Sequence, residues 1–237
     1  MTKPRVLIWD IETLPNLAYC FDLWSYKKPD MLIKERAIIS IAYKWLGEKK
    51  VHVMHTKKAY DDKALIERFR DVITSADYTV SHYGDKFDVR FLRGRVLLNK
   101  LLPIPHVPNI DTYKLAKKYF NLNANRLDYL GKAFGLGGKI STNWKLWERC
   151  ANNEPAAIKE MAKYNKRDVD LLEKVFLYML PHVESKLNHK LFSSKDACPN
   201  CGSIHVQKRG TQANKTILRQ RFHCQDCGAW HTGKLYV

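Results

Sequence analysis

Val6-Leu7-Ile8-Trp9-Asp10-Ile11-Glu12-Thr13 is an apolar run interrupted twice by acid. Side chains two apart on a strand share a face, so Asp10 and Glu12 point the same way and alternate with Trp9 and Ile11. One strand therefore presents two carboxylates together. Carboxylates crowded at the edge of an apolar sheet repel one another and are costly to desolvate. Hard, oxygen-seeking cations such as Mg²⁺ or Mn²⁺ remove that cost, and the run reads as half of a metal site.

Working outward, the hydrophobic pattern gives an α/β order. Residues 4–12, 37–46 and 50–55 read as three strands with short connections, an antiparallel meander. Helical periodicity follows over 61–75, a short strand over 78–81, a helix over 87–98 and a strand ending near Asp111. Further helices are predicted at 112–119, 126–134 and 155–180, the last with Pro155 in its first turn and ending before Pro181. Two more acids fall within this order. Asp88 closes His82-Tyr83-Gly84-Asp85-Lys86-Phe87-Asp88, and Asp168 ends Tyr164-Asn165-Lys166-Arg167-Asp168. Residues four apart on a helix are neighbours, so Tyr164 and Asp168 share a face while Asp170 points away. Taken singly, Asp-x-Glu is ordinarily a solvated strand end, Asp88 a helix cap and Tyr164 a packing residue. Their order along one α/β pattern carries the metal reading.

With these motifs in place the chain resembles the DEDD superfamily of 3′–5′ exonucleases, which includes polymerase proofreading domains, and specifically its tyrosine-bearing branch. Asp10 and Glu12 match the first motif, Asp88 the second, and Asp168 with Tyr164 the third, and the likeness runs over about residues 4 to 180. Where many relatives have Asn before the Gly of the second motif, this chain has Tyr83. The resemblance implies an RNase H-like mixed sheet flanked by helices. It also implies a two-metal site holding Mg²⁺ or Mn²⁺, with Asp10 bridging and Glu12, Asp88 and Asp168 completing the ligands. Tyr164 would help place the attacking water, and because a free Tyr has a pKa near 10 it orients more than it deprotonates. Thr13, Leu14 and Phe87 adjoin the ligands as candidate contacts to the terminal nucleotide, with core packing the rival reading for Leu14 and Phe87. Lys139, in the turn Gly135-Leu136-Gly137-Gly138-Lys139, and Lys166 with Arg167 are candidate backbone contacts.

The C-terminus carries a second motif. Cys198-Pro199-Asn200-Cys201 and Cys224-Gln225-Asp226-Cys227 are two Cys-x-x-Cys knuckles with the spacing of a tetrahedral Cys₄ site. They predict a zinc ribbon holding one structural Zn²⁺, because four thiolates leave no open position for catalysis. A pair of disulfides is the rival. Cys20 and Cys150 read as ordinary buried thiols. Between the knuckles lie Lys208, Arg209, Lys215, Arg219 and Arg221, with Phe222 and Trp230 nearby, a composition suited to phosphate contacts and base stacking. The predicted organisation is an RNase H-like domain over 1–190 and the ribbon over 195–237, joined by a linker within 182–197.

At 237 residues with a net charge of +17 the chain suits a polyanionic partner. The apolar run from Val6 to Trp9 meets acids at once and is neither signal peptide nor membrane span. A cytoplasmic protein with no membrane partner is expected. Together these features predict a 3′–5′ exonuclease, with DNA favoured over RNA as substrate and the ribbon holding nucleic acid or, alternatively, a protein partner. An RNA-trimming nuclease, a structure-directed endonuclease and a non-catalytic nucleic-acid-binding protein are the alternatives. End-labelled DNA and RNA, with and without divalent cations, separate them.

Overall fold

The computed structural model describes residues 4–22, 29–139, 142–183 and 197–236. Five strands form the central sheet: β1 (Val6–Thr13), β4 (Ile38–Trp45), β5 (His52–His55), β6 (Tyr78–Ser81) and β7 (Asn109–Asp111). Their order is β5-β4-β1-β6-β7. The β1–β4 and β4–β5 pairings are antiparallel, and β1–β6 and β6–β7 are parallel. This is the mixed RNase H-like sheet flanked by helices that the pattern predicts, with β1 at its centre.

The two faces of β1 sort the helices. Leu7, Trp9 and Ile11 pack with Phe69 of α1 (Lys63–Thr74) and with Leu92 and Val96 of α2 (Asp88–Leu98). Val6 and Ile8 face the other way, into a cluster with Leu130 of α4 (Leu127–Ala133) and with Val169, Leu172 and Phe176 of α6 (Pro155–Met179). Asp10 and Glu12 continue that second face. The period of the strand aims both carboxylates at α6.

The connection from β1 to β4 is not short. It carries a hairpin of β2 (Leu17–Tyr19) and β3 (Met31–Lys34) that forms its own two-stranded sheet. Cys20 lies on this arm and is exposed, which corrects the expectation of a buried thiol, while Cys150 is buried as expected. An unpredicted helix, α5 (Trp144–Ala151), precedes α6. α3 (Thr112–Tyr119) is capped by the Asp111 side chain, which accepts from the amides of Tyr113 and Lys114.

The C-terminal cysteines organise a separate three-stranded antiparallel sheet of β8 (Val206–Ala213), β9 (Leu218–Cys224) and β10 (Trp230–Tyr236), ordered β10-β9-β8. It fits a small ribbon. The linker and the domain boundary expected near 190–195 lie almost wholly outside the described residues. No helix among the described residues is long and apolar enough to cross a membrane.

Candidate functional site

Strand pairing explains how the carboxylates come together. β6 pairs with β1 only over Val6–Ile8. Beyond Ile8 the two strands diverge, so the amide of Ile11 has no β6 carbonyl to reach, and it donates instead to Asp88 Oδ1 at 3.2 Å. The gap between the strands is closed by the side chain of the second motif. Across the sheet, Glu12 pairs with Ser40 of β4. Ser40 Oγ donates to Asn165 Oδ1 at 2.7 Å, and Asn165 Nδ2 donates to Asp10 Oδ2 at 2.7 Å. Asn165 is fully buried and ties the first motif to the third. Neither Asn165 nor Ser40 was marked as a site residue by sequence. For Ser40 the signal was a lone polar residue in the apolar run 37–42, and for Asn165 it was an amide at the helical register of the buried Met161 and Val169.

Ligand atoms of Asp10, Glu12 and Asp168 lie within 4.8 Å of one another. Asp88 is not in that trio, although it raises the pKa of both Asp10 and Glu12. Asp170 points elsewhere, 2.8 Å from Lys174 and also near Lys44 and Arg167. Burial, reinforced by the neighbouring carboxylates, raises Asp10 well above the usual range. It takes Glu12 up to about 8 and Asp88 up to about 7. Burial also raises Asp168, against the opposing charge of Lys139. Lys139 Nζ sits 2.5 Å from Asp168 Oδ2. Burial opposes this ammonium, yet Asp10 and Asp168 hold its pKa above that of an ordinary lysine. The turn at 135–139 thus delivers a cation into the carboxylate cluster itself. Burial pushes the Tyr164 phenol up to about 12, so it is protonated at neutral pH.

The residues present fit a divalent cation. Asp168 Oδ1 is buried and has no hydrogen-bond partner among the described residues. Three acidic groups with ligand atoms within 4.8 Å of one another, all with raised pKa, have one lysine between them. An all-oxygen donor set of this kind is the chemistry of Mg²⁺ or Mn²⁺.

The candidate substrate contacts separate. Leu14 is 0% exposed and packs with Ile39, Leu146 and Met161, so its place among the contacts is corrected to core. Thr13 Oγ1 accepts from Arg36 at 3.3 Å. Phe87 stacks on Phe91 with centroids 5.7 Å apart, and the Arg36 guanidinium lies 5.3 Å from the Phe87 ring. Arg36, Phe87 and Phe91 line a groove of about 480 Å³ with Arg90 and Arg95. A second cleft, about 550 Å³, is lined by His82, Tyr83, Tyr113, Arg126 and Lys139. Tyr83 has a backbone φ of 63°, a region Asn tolerates better than Tyr. Its amide donates to Asp111 Oδ1 at 2.9 Å, and its ring meets Tyr113 edge-on at 4.9 Å. Lys166 is exposed on α6.

In the ribbon, Cys198, Cys201, Cys224 and Cys227 present sulfurs within 4.8 Å of one another. Cys198 Sγ to Cys227 Sγ is 3.8 Å and Cys201 Sγ to Cys224 Sγ is 3.6 Å. These separations are not disulfides. A tetrahedron of 2.3 Å Zn–S bonds has edges of about 3.8 Å, so the four sulfurs fit one Zn²⁺.

The chain belongs to the RNase H superfamily, whose model matches residues 31–180. Fold, family and carboxylate cluster together support a nuclease acting on nucleic acid. The chain is also similar in fold to the family B DNA polymerase from the hyperthermophilic archaeon Pyrobaculum calidifontis, at TM-score 0.59 and 18% identity over 76% of this chain. It spans only 25% of that polymerase. No curated protein matches the chain.

Proposed function

We propose that this protein is a metal-dependent 3′–5′ exonuclease acting preferentially on single-stranded DNA. The observation that carries the reading is the trio of Asp10, Glu12 and Asp168, with ligand atoms within 4.8 Å of one another and Asp88 alongside. These four would hold two Mg²⁺ or Mn²⁺ ions, which supply Lewis acidity for activating water and for neutralising charge on the leaving oxygen. In the reaction a water oxygen bonds to the terminal phosphorus while the bond from that phosphorus to the penultimate 3′-oxygen breaks. The 3′-oxygen takes up a proton, and a nucleoside 5′-monophosphate leaves.

The chain's own residues have distinct parts. Tyr164, protonated at neutral pH, orients the water by donating a hydrogen bond. Asn165 fixes the direction of Asp10. Lys139, already among the carboxylates, is placed to meet the anionic phosphate when substrate enters. The cleft beside Lys139 and the groove beside Phe87 are the candidate paths for the terminal nucleotides, with Arg36, Arg90 and Arg126 facing the backbone. The ribbon is a zinc-bound handle for nucleic acid.

A 5′-labelled single strand tests the proposal. With Mg²⁺ or Mn²⁺ it should shorten stepwise from its 3′ end, and Asp10→Ala should abolish hydrolysis while leaving the fold intact. Internal fragments from a strand with blocked ends would overturn the 3′–5′ assignment. Faster trimming of RNA than of DNA would overturn the substrate preference.

A further inference from the structure

The ribbon sheet has two chemically different faces. Directly paired residues on antiparallel strands share a face. Lys208, Phe222 and His231 form one such row. There the Phe222 ring stacks on His231 at 5.3 Å, and a Cβ at Gly233 would lie 2.5 Å from Phe222 Cε2. Phe222 rests on bare backbone and serves packing.

The next row over holds Gln207, His223 and Trp230, with Arg221 opposite Thr232 and Arg219 opposite Gln212. The Trp230 indole is 49% exposed. Its ring lies 4.5 Å from His223, and the Arg221 guanidinium is 4.0 Å from its centroid. Among the described ribbon residues Asp226 is the sole carboxylate, and it is engaged by Ser203 and His205 at the knuckle. One face is therefore a packing face, and the other joins an exposed indole to two arginines with no acid among them.

We propose that the face bearing Arg219, Arg221, His223 and Trp230 binds single-stranded nucleic acid, stacking a base on Trp230 with the two arginines on the flanking phosphates. The inference rests on nucleic acid being the partner and deepens that reading by assigning the face. Charge selects a polyanion. The exposed indole beside a planar guanidinium selects one that carries flat bases, since base–aromatic stacking is strong and indifferent to sequence. Of the basic residues between the knuckles, Arg219 and Arg221 then make the contact, whereas Lys208 lies on the opposite face.

The test is binding of a labelled 40-mer single strand to the full chain without added divalent cation, across a range of salt. Zinc content of one per chain confirms each variant's fold. Trp230→Ala should weaken binding about tenfold or more with the salt slope unchanged, because the lost contact is uncharged. Arg221→Ala should weaken binding and lower the slope by roughly 0.7. Lys208→Ala should leave affinity within about twofold, and Trp230→Phe should retain most of it. Full affinity in Trp230→Ala with zinc intact overturns the proposal, as does a loss in Lys208→Ala equal to that in Arg221→Ala. Equal competition by poly-glutamate overturns base stacking and favours an acidic protein partner. If the unaltered chain binds no nucleic acid, the nucleic-acid reading falls as well. Binding that is indifferent to Trp230 removes only the face.

Discussion

Asp10 is held by a neutral amide, and that contact can be tested by itself. Hydrogen bonds to charged groups contribute about 1.5–3 kcal/mol, so Asn165→Ala should lower the single-turnover rate at least about tenfold by releasing Asp10 and Ser40. An unchanged rate well below the melting temperature would reduce Asn165 to packing. The raised carboxylates predict a pH dependence. Glu12 rises from 4.5 to about 8 and Asp88 from 3.8 to about 7. The native state therefore binds more protons than the unfolded chain up to about pH 8, and stability falls as pH rises through that window. His82 acts oppositely, but only between its folded value of about 4 and 6.5. Cys227, lowered from 9.0 to about 7, also acts oppositely above pH 7, so the carboxylates govern from pH 6.5 to 7. Without added divalent cation the melting temperature should fall over that range, and Glu12→Gln should flatten the fall. A melting temperature that rises instead contradicts the assignment. Asp10, Glu12 and Asp168 were legible because strand and helix periods place them. Asn165 and Lys139 reach their partners only through the fold, Asn165 meeting Ser40 across 125 positions and Lys139 meeting Asp168 across 29.

At the level of elements, α4 governs the turn that carries Lys139. A Cβ at Gly131 would lie 2.5 Å from the Gly137 carbonyl oxygen and 2.8 Å from Leu171 Cδ1. Replacing a helical Gly by Ala ordinarily gains about 1 kcal/mol. Here the clash is with backbone, so Gly131→Ala should lower the melting temperature and, by shifting the turn, slow hydrolysis. A higher melting temperature with full activity would refute that coupling. The central strands and α6 were readable because each buries a long periodic stripe. α5, eight residues like α3, presents Trp147, Cys150 and Ala151 at helical spacing, so it too was legible in principle. The hairpin of β2 and β3 leaves Leu17, Tyr19, Met31 and Leu32 largely exposed, so no buried face marks it in the sequence.

For the whole molecule, the two kinds of metal chemistry should separate in solution. Four thiolates hold zinc tightly, while carboxylates exchange Mg²⁺ or Mn²⁺ readily. Purified protein should retain one zinc per chain after extensive dialysis yet require added Mg²⁺ or Mn²⁺ for hydrolysis, as metal analysis and activity on one sample would establish. Removing residues 195–237 should spare cleavage of very short strands while weakening affinity for long ones, measured by parallel binding and single-turnover assays. The RNase H-like architecture was legible because the order of strands and helices constrains it. The arrangement of ribbon faces was not, since it depends on register across β8, β9 and β10. The parting of β1 from β6 after Ile8 also equips the molecule with a local reporter. The Ile11 amide is shielded by a carboxylate where a sheet carbonyl would normally stand, so Asp88→Ala should turn one slowly exchanging proton at the centre of the sheet into a fast one. A single amide resonance would then register the state of the second motif without any substrate.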